Sequence, residues 1–158
     1  MPNSLSNHVF EKGWTVHQIL TLASIIEGEA MVDSERAMVS AVYYNRLKQG
    51  ILLQADPTIQ YIIPDGPRRL LRKDLAIDSP YNTYLHPGLP PGPVNNPGLK
   101  SILAAINPAH VDYLYLVAKG DGSHIFSRTL REHQIAKQRF DEFRRMINRK
   151  KKANDQNG

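Results

Sequence analysis

A chain of 158 residues with 41% hydrophobic content has the size and composition of one globular domain with a single core. No apolar stretch approaches the roughly 20 residues that cross a bilayer, "MPNSLSNHVF" lacks the basic start and apolar centre of a signal peptide, and zero cysteines exclude disulfides, thiolate metal sites and cysteine nucleophiles. The formal net charge of +5 does not describe a basic binding face, because Arg144, Arg145, Arg149, Lys150, Lys151 and Lys152 supply six positives and leave the body nearly neutral; the basic run reads as a solvated helix end, with contact to an anionic polymer or surface as the other reading.

In chain order, Thr15 and Gln18 make a T-x-x-Q capping box, and Val16, Ile19, Leu20, Ala23, Ile26 and Ala30 then recur at helical spacing. Asp33 or Ser34 can cap a second helix whose Met38, Val39, Val42 and Leu47 face a core, and Gly50 suits its left-handed C-terminus. The chain therefore opens on a helical hairpin. "ILLQADPTIQYII" is β-prone and broken at Asp56-Pro57 and at "PDGP", which predicts short strands or extended segments; "RRLLRKDL" adds a helical turn.

Residues 79–98, "SPYNTYLHPGLPPGPVNNPG", hold six prolines and three glycines, too many for a regular element. A linker is one reading. The favoured one is an ordered loop presenting Tyr81, Asn82, Tyr84, His86 and Leu89 to a groove. Asn96-Pro97 then resembles an N-cap and first residue for "GLKSILAAI", with Leu99, Ile102, Leu103 and Ile106 as one stripe ended by Asn107-Pro108. "DYLYLVAKGDGSHIFSRT" reads as a β-hairpin turning at Lys119-Gly120-Asp121-Gly122. Thr129 with Glu132 opens a last helix carrying Ala136, Phe140, Phe143 and Ile147 on one face, after which residues 151–158 should fray. The order predicts an α+β fold in one domain, residues 1–150.

Several chemistries are absent as motifs: no G-x-S-x-G, no phosphate-binding glycine loop, no H-E-x-x-H. His8, His17, His86, His110, His124 and His133 share no metal-ligand spacing, so neither a metal nor a cofactor is expected. His124 could belong to a site or simply pack its ring. The unusual feature is "SIIEGEA", where Glu27 continues an apolar stripe and Glu29 lies roughly 200° around the helix from it, at about 100° per residue. Either carboxyl, flanked by apolar groups, could be desolvated and hold a proton near neutral pH. Periodicity alone favours a structural Glu27 and a solvated Glu29.

"LASIIEGEAMVDSERAMVSAVYYNRL", "LLQADPTIQY", "SPYNTYLHPGLPPGPVNNPG" and "DYLYLVAKGDGSHIFSRTLREH" together resemble, in order and spacing, the catalytic domain of the endolytic murein transglycosylases (MltG, YceG-like), over about residues 13–140. The resemblance implies endolytic cleavage of the β-1,4 bond between N-acetylmuramic acid and N-acetylglucosamine in peptidoglycan, leaving 1,6-anhydromuramoyl ends. It also implies one essential glutamate within Glu27-Gly28-Glu29. The "GEA" segment is similar as well to that of spore-cortex-type cell-wall hydrolases, whose catalytic glutamate matches Glu29, so Glu29 is the expected catalytic residue and Glu27 the second choice.

On that resemblance a single carboxyl serves first as acid and then as base. A muramidase-type hydrolase would usually need a second carboxylate, for which Asp56 is the candidate, although capping the Asp-Pro turn is its expected role. The accompanying motifs imply substrate contacts from Gln54, Asp56, Asn82, Thr83, Tyr84, Ser127 and Arg128. Asn45 and Arg46 are expected to fix the helical hairpin to the loop, with direct substrate contact as the other reading. The partners implied are glycan strands and, through a full-length protein, the cell-wall elongation and division machinery, with no nucleic acid. Three departures stand out. Gly28 replaces a charged residue and should loosen the helix by about 1 kcal/mol relative to alanine; Ala55 stands where threonine is frequent; and the family's membrane-spanning segment and additional small domain are missing, so the chain reads as a catalytic fragment of an extracytoplasmic, membrane-anchored protein. A noncatalytic peptidoglycan-binding domain is the reading from another class.

Overall fold

The computed structural model describes residues 13–157; the opening segment with His8, and Gly158, lie outside them. Helix α1 (Val16–Glu29) starts at the expected box: the Gln18 N–H donates to Thr15 Oγ1 at 3.1 Å, and the Thr15 N–H to Gln18 Oε1 at 2.9 Å. From Thr21 to Ile26 every residue is buried, because α1 runs through the middle of the fold with helices on several sides. A helix enclosed all round has no single stripe. Thr21 and Ser24 remain satisfied there by donating to the carbonyls of His17 and Thr21.

A short 3-10 turn, Asp33–Glu35, leads into helix α2 (Arg36–Gln49). Neither Asp33 nor Ser34 caps it; the Asp33 carboxylate is engaged with Arg36 and Lys100 at 3.1 and 2.6 Å. Gly50 ends the helix at φ 68°, as its sequence position predicts. The expected strands after residue 51 are replaced by an extended run and helix α3 (Asp56–Ile62), because proline is at ease in the first turn of a helix and Ala55 takes the N-cap position. A second 3-10 turn, Arg72–Ala76, is tied down by a two-pronged Arg68–Asp74 pair at 2.7 and 3.0 Å.

The proline-rich stretch is an ordered loop strapped to α1. The Val94 N–H donates to Ser24 Oγ at 3.0 Å, Asn95 Nδ2 to the Ser24 carbonyl at 2.8 Å, and the His17 ring meets the Pro91 carbonyl at 2.6 Å. Helix α4 (Leu99–Ile106) begins after Gly98, two residues later than Asn96-Pro97 suggests. Its buried face is Ser101, Ala104, Ala105 and Ile106, while Leu99 and Leu103 are exposed; small side chains let α4 lie close against α1, and that closeness outweighs the leucine stripe.

Strands β1 (Tyr115–Ala118) and β2 (His124–Ser127) form an antiparallel hairpin in which Ala118 faces His124 and Tyr115 faces Ser127. Its turn uses Gly120 and Gly122 at φ 96° and 94°. Helix α5 (Leu130–Asn157) packs its first turns on this hairpin, with Ala136 buried. The rest of its expected core face is not in a core: Phe143 is 49% and Ile147 39% exposed, and helix continues to Asn157 where fraying is expected from residue 151. The fold is α+β, with Ile19, Leu22, Ile25, Ile26, Val39, Tyr43, Leu53 and Ile106 at its centre.

Candidate active site

The two glutamates that end α1 have opposite surroundings. Glu27 accepts Arg36 Nη1 at 2.9 Å and the Ser101 hydroxyl, a bridge that ties α1 to both α2 and α4. Glu29 takes no such partner. Its Oε1 accepts the Tyr43 hydroxyl at 2.7 Å, and no lysine or arginine among the described residues forms an ion pair with it. Burial pushes the Glu29 carboxyl up from 4.5 to about 7; the nearby Asp56 carboxylate adds to the rise, and the Tyr43 hydrogen bond and His124 oppose it.

Glu29 stands where two open cavities meet. The larger, about 830 Å³, is lined by Asp56, Gln60, Tyr61, Asn95 and His124; the smaller, about 390 Å³, by Tyr43, Arg46, Gln54 and Tyr84. Glu29, Asp56, Ala118 and His124 belong to both. The result is a groove with a protonatable carboxyl at its middle.

Asp56 does not cap the Asp-Pro turn. Its carboxylate accepts the Tyr84 hydroxyl at 2.5 Å and faces the groove. Gln54 lines the smaller arm at φ 49°, a left-handed conformation rare outside glycine, with its N–H on the Thr83 carbonyl. His124 belongs to the wall of the site, where Glu35 accepts its backbone N–H at 3.1 Å and bonds its Nδ1 at 3.0 Å. Tyr84 is half-buried, and burial, before its bond to Asp56, keeps its hydroxyl protonated well above 10.

Four expected contact residues are not brought to the groove. Asn82 is fully buried, spending its Nδ2 on the Leu75 and Ile77 carbonyls and its Oδ1 on the Tyr84 N–H. Thr83 Oγ1 accepts the Ala55 N–H and pairs with Thr58 Oγ1, each at 2.9 Å. Both build the loop that carries Tyr84. Ser127 is buried in β2, and Arg128 points to another face, pairing with Asp112 at 2.6 Å over the Tyr113 ring. Asn45 and Arg46 do brace α2, but not to the proline-rich loop: Asn45 Nδ2 donates to the Val111 and Tyr113 carbonyls, and Arg46 to those of Leu114 and Leu52. Arg46 additionally reaches the smaller arm.

Sequence reasoning passes over Tyr43 and Glu35. Tyr43 follows Val39 by four on the core side of α2, so its hydroxyl enters an apolar stripe; that is the available signal. Glu35 carries none, since its partner His124 is 89 residues away. Among the described residues no three His, Asp or Glu side chains converge as metal ligands.

An α+β domain built around a groove with one protonatable carboxyl at its middle defines the class of site: the arrangement that general acid–base chemistry requires. Residues 3–139 match the YceG-like family, and the chain belongs to it. It is 48% identical over 126 residues to an endolytic murein transglycosylase of Bacillus subtilis, covering 80% of this chain and 35% of that protein. A protein of the same name from Streptococcus pneumoniae is 41% identical over 112 residues, covering 68% and 20%. The chain thus spans about a third or less of these relatives' length. The crystal structure of a YceG-like protein from Listeria monocytogenes superposes with a TM-score of 0.75 at 44% identity, covering 81% of this chain and 41% of that one.

Proposed function

We propose that this chain is the catalytic domain, residues 1–150, of an endolytic peptidoglycan lytic transglycosylase, with Glu29 as its proton-transferring group. One observation carries the reading: Glu29 sits at the junction of two groove arms with its carboxyl raised to about 7, while Glu27 is ion-paired away from the groove. Protonated Glu29 donates to the glycosidic oxygen as the bond to the muramoyl anomeric carbon breaks. The resulting carboxylate then accepts the proton of the muramoyl 6-hydroxyl, whose oxygen closes on the anomeric carbon to give the 1,6-anhydro end. No water is consumed, and Glu29 ends protonated as it began. A pKa near working pH suits both halves of the cycle.

The Tyr43 hydroxyl orients the carboxyl, and Gln54, Asp56 and Tyr84 are the groups we assign to sugar contacts in the smaller arm. The names of the relatives favour murein as the substrate and the extracytoplasmic face as the place of action. Attachment to the membrane and to the elongation or division machinery belongs, on this reading, to the full-length protein. A second reading, hydrolysis in the manner of a muramidase, is favoured by Asp56, a second carboxylate facing the same groove. Digestion of purified peptidoglycan followed by mass analysis separates them: anhydro ends are expected, reducing ends would mean hydrolysis, and intact strands would mean a binding domain only.

A further inference from the structure

Helix α5 carries a charge excess equal to that of the whole chain. Between Leu130 and Asn157 nine basic residues stand against four acidic ones, an excess of five, the same as the formal +5 of all 158 residues. Every residue from Asp141 to Asp155 is exposed. The exposed set is not uniformly polar. At about 100° per residue, Ile135, Phe140, Phe143, Met146 and Ile147 fall within one arc of about 140°, which also takes in the long cationic side chains of Arg139 and Lys150, and Ile135, Phe143 and Met146 are 46%, 49% and 52% exposed. Phe140, Phe143 and Ile147 also line a cleft of about 400 Å³ against the hairpin turn, with Lys119 and Arg144 at its rim. Arg144 and Lys151 flank the arc on one side and Arg149 on the other, the arrangement in which long cationic side chains lie along an apolar surface with their heads at a polar boundary.

Two occupants of this face fit poorly. Ala136, Phe140, Phe143 and Ile147 follow a 4-3-4 spacing, but the next seam position is Lys150, and the flanking positions Lys137, Arg139, Arg144 and Lys151 are all basic, so a second copy would bring like charges together along the seam. Spanning a membrane is also ruled out for α5: among the described residues no helix is long and apolar enough. An apolar arc with cationic flanks on a helix of low overall hydrophobicity matches a helix that lies in a bilayer interface. We propose that α5 docks on an anionic phospholipid surface, with Phe143, Met146 and Ile147 in the acyl boundary and Arg144, Arg149, Lys150 and Lys151 on the phosphates. This is independent of the chemistry at Glu29.

The test is sedimentation of the full chain with extruded vesicles of phosphatidylcholine alone or mixed with phosphatidylglycerol. Binding is expected only to the mixed vesicles, and it should weaken between about 0.1 M and about 1 M salt as the screening length falls from about 10 to about 3 Å. The triple variant Arg149→Gln/Lys150→Gln/Lys151→Gln should lose roughly a hundredfold in partitioning, at about fivefold per charge. Phe143→Ser/Met146→Ser keeps every charge and should lose about tenfold or more. Unchanged thermal midpoints would show that both variants fold. Because the chain has no cysteine, Met146→Cys can carry an environment-sensitive dye, whose emission should shift to the blue on the mixed vesicles. No binding to the mixed vesicles overturns the proposal and leaves the face to an acidic protein. Binding that ignores Phe143→Ser/Met146→Ser overturns it in favour of a charge-only polyanion site, and lipid-free dimerisation abolished by that pair overturns it in favour of a second copy.

Discussion

The Tyr43 hydroxyl donates to Glu29 Oε1 at 2.7 Å across the gap between α2 and the end of α1. Burial, ahead of the charge of Glu29, holds the tyrosine well above its ordinary pKa, so it remains a donor throughout the working range. Its hydrogen bond favours the carboxylate and lowers the Glu29 pKa. Tyr43→Phe removes that effect, so Glu29 should titrate higher and the alkaline limb of the pH–rate profile should move up. With the carboxyl also less well oriented, kcat should fall about tenfold. A profile with unshifted limbs would deny Tyr43 this role.

Isosteric substitution of the two glutamates should separate chemistry from bracing. Glu29→Gln removes the transferable proton and should lower the cleavage rate at least about a thousandfold with the fold intact. Glu27→Gln keeps its shape but loses the charge that Arg36 and Ser101 share, so it should destabilise by about 1–2 kcal/mol, allowing for its partial exposure, and retain most activity per folded molecule. Rates and urea midpoints measured on the same preparations decide between this and the reverse assignment.

The raised carboxyl has a signature in stability. Folded Glu29 binds its proton more tightly than an unfolded glutamate, so the native state gains from protonation below about pH 4.5 and loses that advantage as pH rises to about 7. The loss should reach about 2 kcal/mol above pH 7 for a partly accessible group. Glu29→Gln does not titrate; relative to wild type it should therefore become progressively more stable from pH 5 to pH 8. Thermal melts at both pH values check this, and a constant difference would place the Glu29 pKa near its ordinary value.

How much of this was legible in the sequence varies with the range of the contact. The Thr15–Gln18 box and the Gly50 terminus are local, and both are where the sequence places them. The divergence of Glu27 and Glu29 follows from helical geometry, but which one meets the groove depends on Arg36, Ser101 and Tyr43, supplied by other helices. Asn82 and Thr83 turn inward because a polar residue in a proline-rich loop has two outlets, a ligand or the loop's own backbone, and composition does not distinguish them; here the loop must satisfy its buried carbonyls and amides. Phe143 and Ile147 differ for the converse reason. Periodicity finds an apolar face but not what covers it.

Gly28 illustrates the same limit. Helix propensity alone says alanine should stabilise this position by about 1 kcal/mol. In the fold, a Cβ there would lie 2.7 Å from both Cβ and Cγ of Pro57, the residue beside Asp56. Gly28→Ala should therefore destabilise by about 1–3 kcal/mol and, by displacing the start of α3, reduce cleavage as well. A thermal midpoint equal to or above wild type would show that Pro57 yields without strain.

Glu35 fastens the hairpin wall of the groove to the start of α2. Its carboxylate, only 11% exposed, takes the His124 backbone N–H and faces the imidazole Nδ1, so one side chain satisfies a strand end and fixes a ring in the site. Glu35→Ala leaves two buried nitrogens without this partner and should cost about 2–3 kcal/mol, a fall of roughly 5–10 °C in Tm for a chain of this size. Glu35→Gln still offers one oxygen to the backbone N–H but replaces the other with an amide NH2, a donor only, so it should recover about half the loss. Amide exchange locates the effect: protection at His124 and along β1 should fall in the alanine variant before that of α1 does. Equal loss of protection across α1 and the hairpin would mean that Glu35 supports the whole core rather than this wall.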